Sequence, residues 1–353
     1  MSDHLYWKEG ALYVLDQRRL PFKEAYVRCA TVKDVARAIK DMTVRGAPLI
    51  GLVAAYGVVV GLREIMETRG RLEESEVERV FHKLEETRPT AVNLFWALRR
   101  MRRAYEELKG EDDLLDSMLR TAVAMHTEDV EQNRRLARYG AELIDDGDTI
   151  LTHCNAGALA TGGYGTALGV IRAASEAGKS LHVFATETRP YFQGARLTVW
   201  ELKEQGIEVT LVPDNHAGLL CRQGMVDKVI VGADRVARNG DVANKVGTYM
   251  IALAAQENRV PFYVAAPLSS FDETIRSGDE ISIEERDGKE VKYVNGRLIT
   301  RADVEAKYYA FDITPARLIS YIITERGIIE KPFGKYIRML FSRGKRGYRN
   351  GPY

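Results

Sequence analysis

Apolar and polar positions along the chain pass through three rhythms. Between residues 5 and 30, the short runs Leu-Tyr-Trp, Ala-Leu-Tyr-Val-Leu and Ala-Tyr-Val-Arg-Cys are separated by Lys-Glu-Gly and by Arg-Leu-Pro. That pattern predicts short strands joined by turns. Thr31 reads as a helix N-cap, with Asp34 three residues on. Helical spacing of apolar residues then predicts helices over 32–42, 48–66, 74–86, 91–108 and 112–143. Near Asp145-Asp-Gly-Asp the rhythm changes again. Strands over 150–154, 181–186, 207–212, 228–232 and 261–266 alternate with helices over 164–177, 194–205, 214–223, 244–257 and 314–326. Such alternation predicts a parallel sheet with right-handed crossovers.

The predicted fold class is therefore α/β. A small N-terminal α+β domain, mostly helical with a small sheet, spans residues 1–130. A Rossmann-like, doubly wound parallel-sheet domain spans 131–353. The stretch 272–310 is polar, with a hairpin predicted over 289–298 around Asn295-Gly296. No repeat or low-complexity segment interrupts this organisation.

Composition narrows the function. The chain of 353 residues is 45% hydrophobic and 29% charged, ordinary for a soluble globular protein. A net charge of +1 argues against nucleic acid or a membrane surface as partner. Three cysteines, Cys29, Cys154 and Cys221, are too few for a disulfide framework and suit a reducing cytoplasm. The N-terminus shows no signal-peptide apolar core. The uncharged run from Gly46 to Leu62 is shorter than a membrane span and predicts a buried helix. Residues 335–353 carry six basic side chains and no acid, and read as a solvated or packed tail.

Two residues carry candidate chemistry. Cys154 ends the strand-like Thr-Ile-Leu-Thr-His-Cys, and Asp234 ends Val-Ile-Val-Gly-Ala-Asp. Ligands of open α/β sheets bind beyond the carboxyl ends of the strands. A lone Cys there is often a buried hydrophobe. The glycines that follow, Gly157, Gly162, Gly163 and Gly165, are expected to admit a ligand close to the backbone. The helix after them is expected to favour an anion and lower the thiol pKa. His153 should point to the opposite face, a structural residue. The spacing does not match a dinucleotide fingerprint. Asp234 could be a turn former. Asn244 and Lys245, read at a helix start, could equally cap a helix or offer donors to phosphate.

Further phosphate-capable groups recur along the chain. Arg45-Gly46-Ala47-Pro48 precedes the uncharged helix, with Pro48 suited to its first turn. Arg88-Pro89-Thr90 ends another helix. Glu187-Thr-Arg-Pro-Tyr-Phe-Gln-Gly-Ala-Arg196 is expected to bring Arg189 and Gln193 to the rim of Cys154. No cluster of His and Cys suggests a metal, and nothing calls for a nicotinamide.

Long segments, taken together, resemble the methylthioribose-1-phosphate isomerase family, in the superfamily shared with the regulatory subunits of translation initiation factor 2B. They are Trp-Lys-Glu-Gly-Ala-Leu-Tyr-Val-Leu-Asp-Gln (7–17), Met-Thr-Val-Arg-Gly-Ala-Pro-Leu-Ile-Gly (42–51), Thr-Arg-Pro-Thr-Ala-Val-Asn-Leu (87–94), His-Cys-Asn-Ala-Gly-Ala-Leu-Ala-Thr (153–161), residues 187–196 above, Gly-Ala-Asp-Arg-Val-Ala-Arg-Asn-Gly-Asp-Val-Ala-Asn-Lys-Val-Gly-Thr (232–248) and Ile-Glu-Glu-Arg-Asp (283–287). The resemblance implies a homodimeric aldose–ketose isomerase without cofactor or metal. It would turn the small-molecule sugar phosphate 5-methylthioribose 1-phosphate into 5-methylthioribulose 1-phosphate in methionine salvage. It implies Asp234 as proton donor, Cys154 as its partner in hydrogen transfer, and Arg45, Gly46, Ala47, Arg88, Gln193, Asn244 and Lys245 as substrate-binding residues. Two alternatives stand beside it: isomerisation of 5-deoxyribose 1-phosphate or ribose 1,5-bisphosphate, and a non-catalytic initiation-factor subunit.

Overall fold

In a computed structural model, which describes residues 3–89 and 91–344, the chain opens with an antiparallel meander. Its strands are β1 (Leu5–Lys8), β2 (Ala11–Leu15) and β3 (Tyr26–Cys29). Helix α1 (Val32–Lys40) starts at the capping box expected from its spacing. Asp34 N donates to Thr31 Oγ1 (3.2 Å) and Thr31 N donates to Asp34 Oδ2 (3.1 Å). Such a cap is worth about 1 kcal/mol. Helices α2 (Ala47–Arg69), α3 (Glu74–Glu85) and α4 (Val92–Leu108) follow. α2 is apolar all round and is long enough to cross a membrane, but it is mostly buried, walled by α1, α3 and α4. A helix apolar on every face is buried on every face.

Helix α5 (Leu114–Ala141) links two cores. Met118, Ala122 and Met125 pack in the helical N-terminal core, while Leu136, Ala137 and Ala141 pack under the main sheet. That sheet is assembled from β4 (Thr149–Thr152), α6 (Ala167–Glu176), β5 (His182–Thr186), α7 (Val199–Glu204), β6 (Glu208–Val212), α8 (His216–Arg222) and β7 (Lys228–Val231). A side layer begins with β8 (Arg235–Ala237) and β9 (Val242–Lys245). The main fold resumes with α9 (Thr248–Glu257) and β10 (Phe262–Ala265). An excursion then runs through β11 (Phe271–Asp272), β12 (Glu285–Arg286), α10 (Lys289–Lys292), β13 (Tyr293–Val294), β14 (Arg297–Leu298), β15 (Tyr308–Tyr309) and β16 (Phe311–Thr314). The chain closes with β17 (Tyr321–Thr324), β18 (Gly327–Ile329) and α11 (Phe333–Gly344).

The main sheet has the order β18-β17-β10-β7-β4-β5-β6, parallel throughout except for β18. Neighbouring strand residues face opposite layers. Ile150, Val183, Ile230 and Ile323 meet α5 and α6; Leu151, Phe184, Val229 and Ile322 meet α8 and α9. Strand order reverses between β4 and β7, the crevice where doubly wound sheets bind ligands.

Three expected elements differ. Where a helix is predicted over 314–326, the chain instead ends β16 at Thr314, makes a 3-10 turn over Ala316–Leu318 and enters β17; the β-branched Ile-Ile-Thr is buried beside β10, where a strand packs better. The helix predicted from 244 begins at Thr248, and Asn244 and Lys245 end β9, paired with β8 and β16. The hairpin is confined to β13–β14 around Asn295-Gly296, both at positive φ, with α10 before it. Of the basic tail, α11 covers the first part and is packed through Phe333 and Ile337; residues 345–353 lie outside the described residues.

Candidate active site

Cys154 and Asp234 follow adjacent strands, β4 and β7, at the point where strand order reverses. They line one cleft with residues of the helical domain, Arg45, Gly46, Ala47 and Arg88, and with Gln193, Asn244 and Lys245. Every substrate-site residue implied by the resemblance therefore reaches one cleft, open at its mouth.

Cys154 sits in a left-handed backbone conformation, φ 64°. Such a conformation costs of order 1–3 kcal/mol outside glycine and must be held by its surroundings. Two threonines do so. Cys154 N donates to Thr188 Oγ1 (2.9 Å), and Thr198 Oγ1 donates to Cys154 O (2.5 Å). His153 spends both nitrogens on the fold, one against Thr186 Oγ1 (2.6 Å), the other donating to Val246 O (2.9 Å). Burial lowers its pKa.

Burial also pushes the Cys154 thiol up, against the pull of Arg45 and Lys245. This corrects the expectation of a lowered pKa. The loss of water around the buried sulfur outweighs both cations. The glycine expectation is corrected as well. A Cβ on Gly157 would collide with the Glu201 carboxylate, and one on Gly162 would stand 2.8 Å from the His126 ring. These glycines let the loop pack on protein, not on a ligand.

Asp234 is anchored by its backbone N–H on Ala243 O (3.0 Å). Burial raises its pKa, opposed by Lys245, Arg88 and Arg45. Lys245 is buried and pushed down by desolvation, opposed by Cys154 and Asp234. Its Nζ donates to Tyr308 OH (3.3 Å). Asn244 Nδ2 donates to Thr248 Oγ1 (3.1 Å).

Arg45 enters from the turn before α2. Gly46, at φ 100°, lets that turn press on the loop after Cys154; a Cβ there would stand 2.5 Å from Ala160 Cα. Arg45 Nη1 and Nη2 donate to Asn155 Oδ1 (2.5 Å) and Asn155 O (2.6 Å). Arg88 Nη2 donates to Glu284 Oε2 (2.9 Å), while its buried Nε has no partner among the described residues. Gln193 is likewise buried with Oε1 unpartnered there. Arg189 does not reach the cleft: it donates to Val291 O (2.9 Å) and stacks on Phe192.

Several lining residues are not evident from sequence. Arg286 lies within the Ile-Glu-Glu-Arg-Asp run and holds Glu284 and Glu290. Tyr308 offers no local signal, since pairing of β15 with β12 brings it in. Met42, Ile50, Ala91, Ile281 and Ile283 give the cleft an apolar share. Among the described residues no cluster of His, Cys, Asp and Glu could hold a metal.

Comparison with known proteins bears on the family and the fold. The model of the initiation factor 2 subunit family matches residues 43–331. The methylthioribose-1-phosphate isomerase of Thermotoga neapolitana is 56% identical over 334 residues, 95% of this chain and 96% of that protein. The methylthioribose-1-phosphate isomerase of Pelotomaculum thermopropionicum is 53% identical over 341 residues, 96% of this chain and 94% of that protein. Among solved structures, 5-methylthioribose 1-phosphate isomerase from Pyrococcus horikoshii OT3 superposes with a TM-score of 0.89 at 42% identity, covering 97% of this chain and 96% of that one. Translation initiation factor eIF-2B, subunit delta, from A. fulgidus gives 0.83 at 42% identity, covering 96% and 99%.

Proposed function

The chain belongs to the initiation factor 2 subunit family, and from that premise we propose how its cleft works as the active site of an aldose–ketose isomerase. The reaction is conversion of 5-methylthioribose 1-phosphate to 5-methylthioribulose 1-phosphate, a step of methionine salvage, and relatives at 50–56% identity carry the name of this isomerase. The observation that carries the reading is the meeting of Cys154 and Asp234 with arginines of one domain and Lys245 of the other.

The substrate is a ring locked by phosphate on its anomeric oxygen. Asp234, whose pKa burial raises, gives its proton to the ring oxygen as the C1–O bond breaks. Its carboxylate then takes the proton from C2, forming an enol. The Cys154 thiol delivers a proton to C1 and receives the one leaving the oxygen on C2, which becomes the ketone. Both groups end as they began. Arg45, Arg88, Gln193, Asn244 and Lys245 hold the phosphorylated sugar, with Gly46 and Ala47 as close backbone neighbours. The apolar side chains of the cleft suit a methylthio group better than a second phosphate.

Purified protein given 5-methylthioribose 1-phosphate, 5-deoxyribose 1-phosphate and ribose 1,5-bisphosphate should turn over the first best. Absence of turnover on all three would favour a regulatory subunit. With substrate deuterated at C2, label lost to water supports the proton route and excludes a pure hydride shift. We also infer a cytoplasmic homodimer. Three free cysteines support the compartment, and Leu219, Met250 and Leu253, exposed apolar side chains on the adjoining helices α8 and α9, support a second copy as cover.

A further inference from the structure

Building on the isomerase reading above, we propose that Tyr308 is a further catalytic residue: its hydroxyl, oriented by Lys245, donates a hydrogen bond to the sugar oxygen on which the ketone forms. Tyr308 comes from the polar excursion between β10 and β17, and several bonds fix where it stands. β15 pairs with β12, setting Tyr308 opposite Arg286. Ala310 N donates to Glu284 O (2.9 Å), and Val246 N donates to Ala310 O (3.1 Å). Phe311 then faces Lys245 across the β16–β9 pair. The tyrosine is 5% exposed and lines the cleft with Cys154 and Asp234.

Its hydroxyl has a defined polarity. Lys245 Nζ donates to the hydroxyl oxygen (3.3 Å), and the same Nζ lies 4.8 Å from the centre of the Phe311 ring. The oxygen is thereby the acceptor, which leaves its hydrogen to be given to another group. Burial pushes the phenol well above its ordinary range, so it stays protonated and remains a donor. A neutral donor is also the right kind of group here. It stabilises charge on the oxygen of C2 while that oxygen loses its proton, without binding the phosphate in competition with Lys245. Removing one such donor from a preorganised site costs about 10²–10³-fold in kcat.

The test is Tyr308→Phe, which keeps the ring beside Lys245 and deletes one oxygen. Tyr309→Phe, at a neighbour 43% exposed, is the control. Expected for Tyr308→Phe are a kcat lower by about 10²-fold, a KM within about threefold of wild type, an unchanged melting temperature and unchanged inhibition by inorganic phosphate; Tyr309→Phe should match wild type. A wild-type kcat in Tyr308→Phe would overturn the proposal. So would a rise in KM alone, or a kcat loss that tracks a lowered melting temperature. If the wild-type chain leaves 5-methylthioribose 1-phosphate untouched, the substrate reading fails and this inference with it; a fully active Tyr308→Phe fails this inference only.

Discussion

Arg45 and Asn155, from different domains, are joined by two hydrogen bonds, to the side-chain oxygen at 2.5 Å and the backbone oxygen at 2.6 Å. Asn155 is in turn held from behind. Its Nδ2 donates to Glu201 Oε1 (2.8 Å), and the same buried carboxylate accepts Ala158 N (2.7 Å) and Leu159 N (3.3 Å). The residue next to Cys154 thus aims an arginine of the opposite wall into the cleft.

Asn155→Ala should therefore weaken substrate binding without touching Cys154 or Asp234. Each charge-assisted bond is worth roughly 1.5–3 kcal/mol, so loss of the side-chain bond should raise KM by about tenfold or more. The change in kcat should be smaller. Steady-state kinetics decide it: an unchanged KM would mean that Arg45 keeps its aim unaided.

Cys154→Ser should abolish most turnover with the fold intact, because a hydroxyl neither ionises nor shuttles a proton as a thiol does. The other two cysteines serve as controls. Cys29 is buried in the N-terminal core, and Cys221 is buried on the inner side of α8, of which it is part. Cys29→Ser should cost roughly 1–3 kcal/mol of stability by burying a hydroxyl, yet leave kcat near wild type below its melting temperature. Equal losses of kcat in all three serines would point to packing instead.

Much of this site is legible in the order of residues alone. Cys154 and Asp234 stand out because each ends an apolar run where a parallel strand must stop, and Arg45 because a Gly-Ala-Pro turn follows it. Tertiary pairing hides the rest. Lys245 looks like a helix start until β9 is paired with both β8 and β16. Tyr308 and Arg286 are 22 residues apart in a polar stretch and meet only through the β12–β15 pair. The run over 314–326 carries enough apolar residues for a helix, and only the place of β17 beside β10 favours its β-branched Ile-Ile-Thr as strand. The glycines after Cys154 read as ligand-facing because sequence cannot show that Glu201 fills the space at Gly157, His126 and Asp129 that at Gly162, and Val130 that at Gly163.

Asp234→Asn should lower kcat by at least about 10²-fold, the usual worth of an acid–base group, while substrate still binds. The pH profile adds a second check. Burial raises the Asp234 pKa above that of an ordinary aspartic acid. The donor is competent only while protonated, so wild-type activity should fall as pH rises through that raised value. The residual activity of Asp234→Asn should lack this limb. A variant that kept it would assign the titration to another group.

Asp129 offers a prediction about stability. It lies on α5, buried, and its Oδ2 accepts Gly162 N (2.6 Å) from the loop after Cys154 and Asn133 Nδ2 (2.9 Å). Burial raises its pKa to about 7, outweighing the hydrogen bond from Gly162 that opposes the shift. In the unfolded chain it titrates near the ordinary 3.8. Between those values the native state holds a proton that the unfolded state has released, so stability falls as pH rises. The contribution is complete below about pH 4 and lost through about 7; a shift of that size corresponds to a few kcal/mol, roughly 4 at most. The amide introduced by Asp129→Asn would carry no such linkage. The melting temperature of Asp129→Asn minus that of wild type should therefore move in the variant's favour as pH is raised from about 5 to about 8. Taking the difference cancels the titrations the two proteins share. A difference that stayed flat over that range would mean that the carboxyl gives up its proton at ordinary acidity, and that the bond from Gly162 has outweighed its burial.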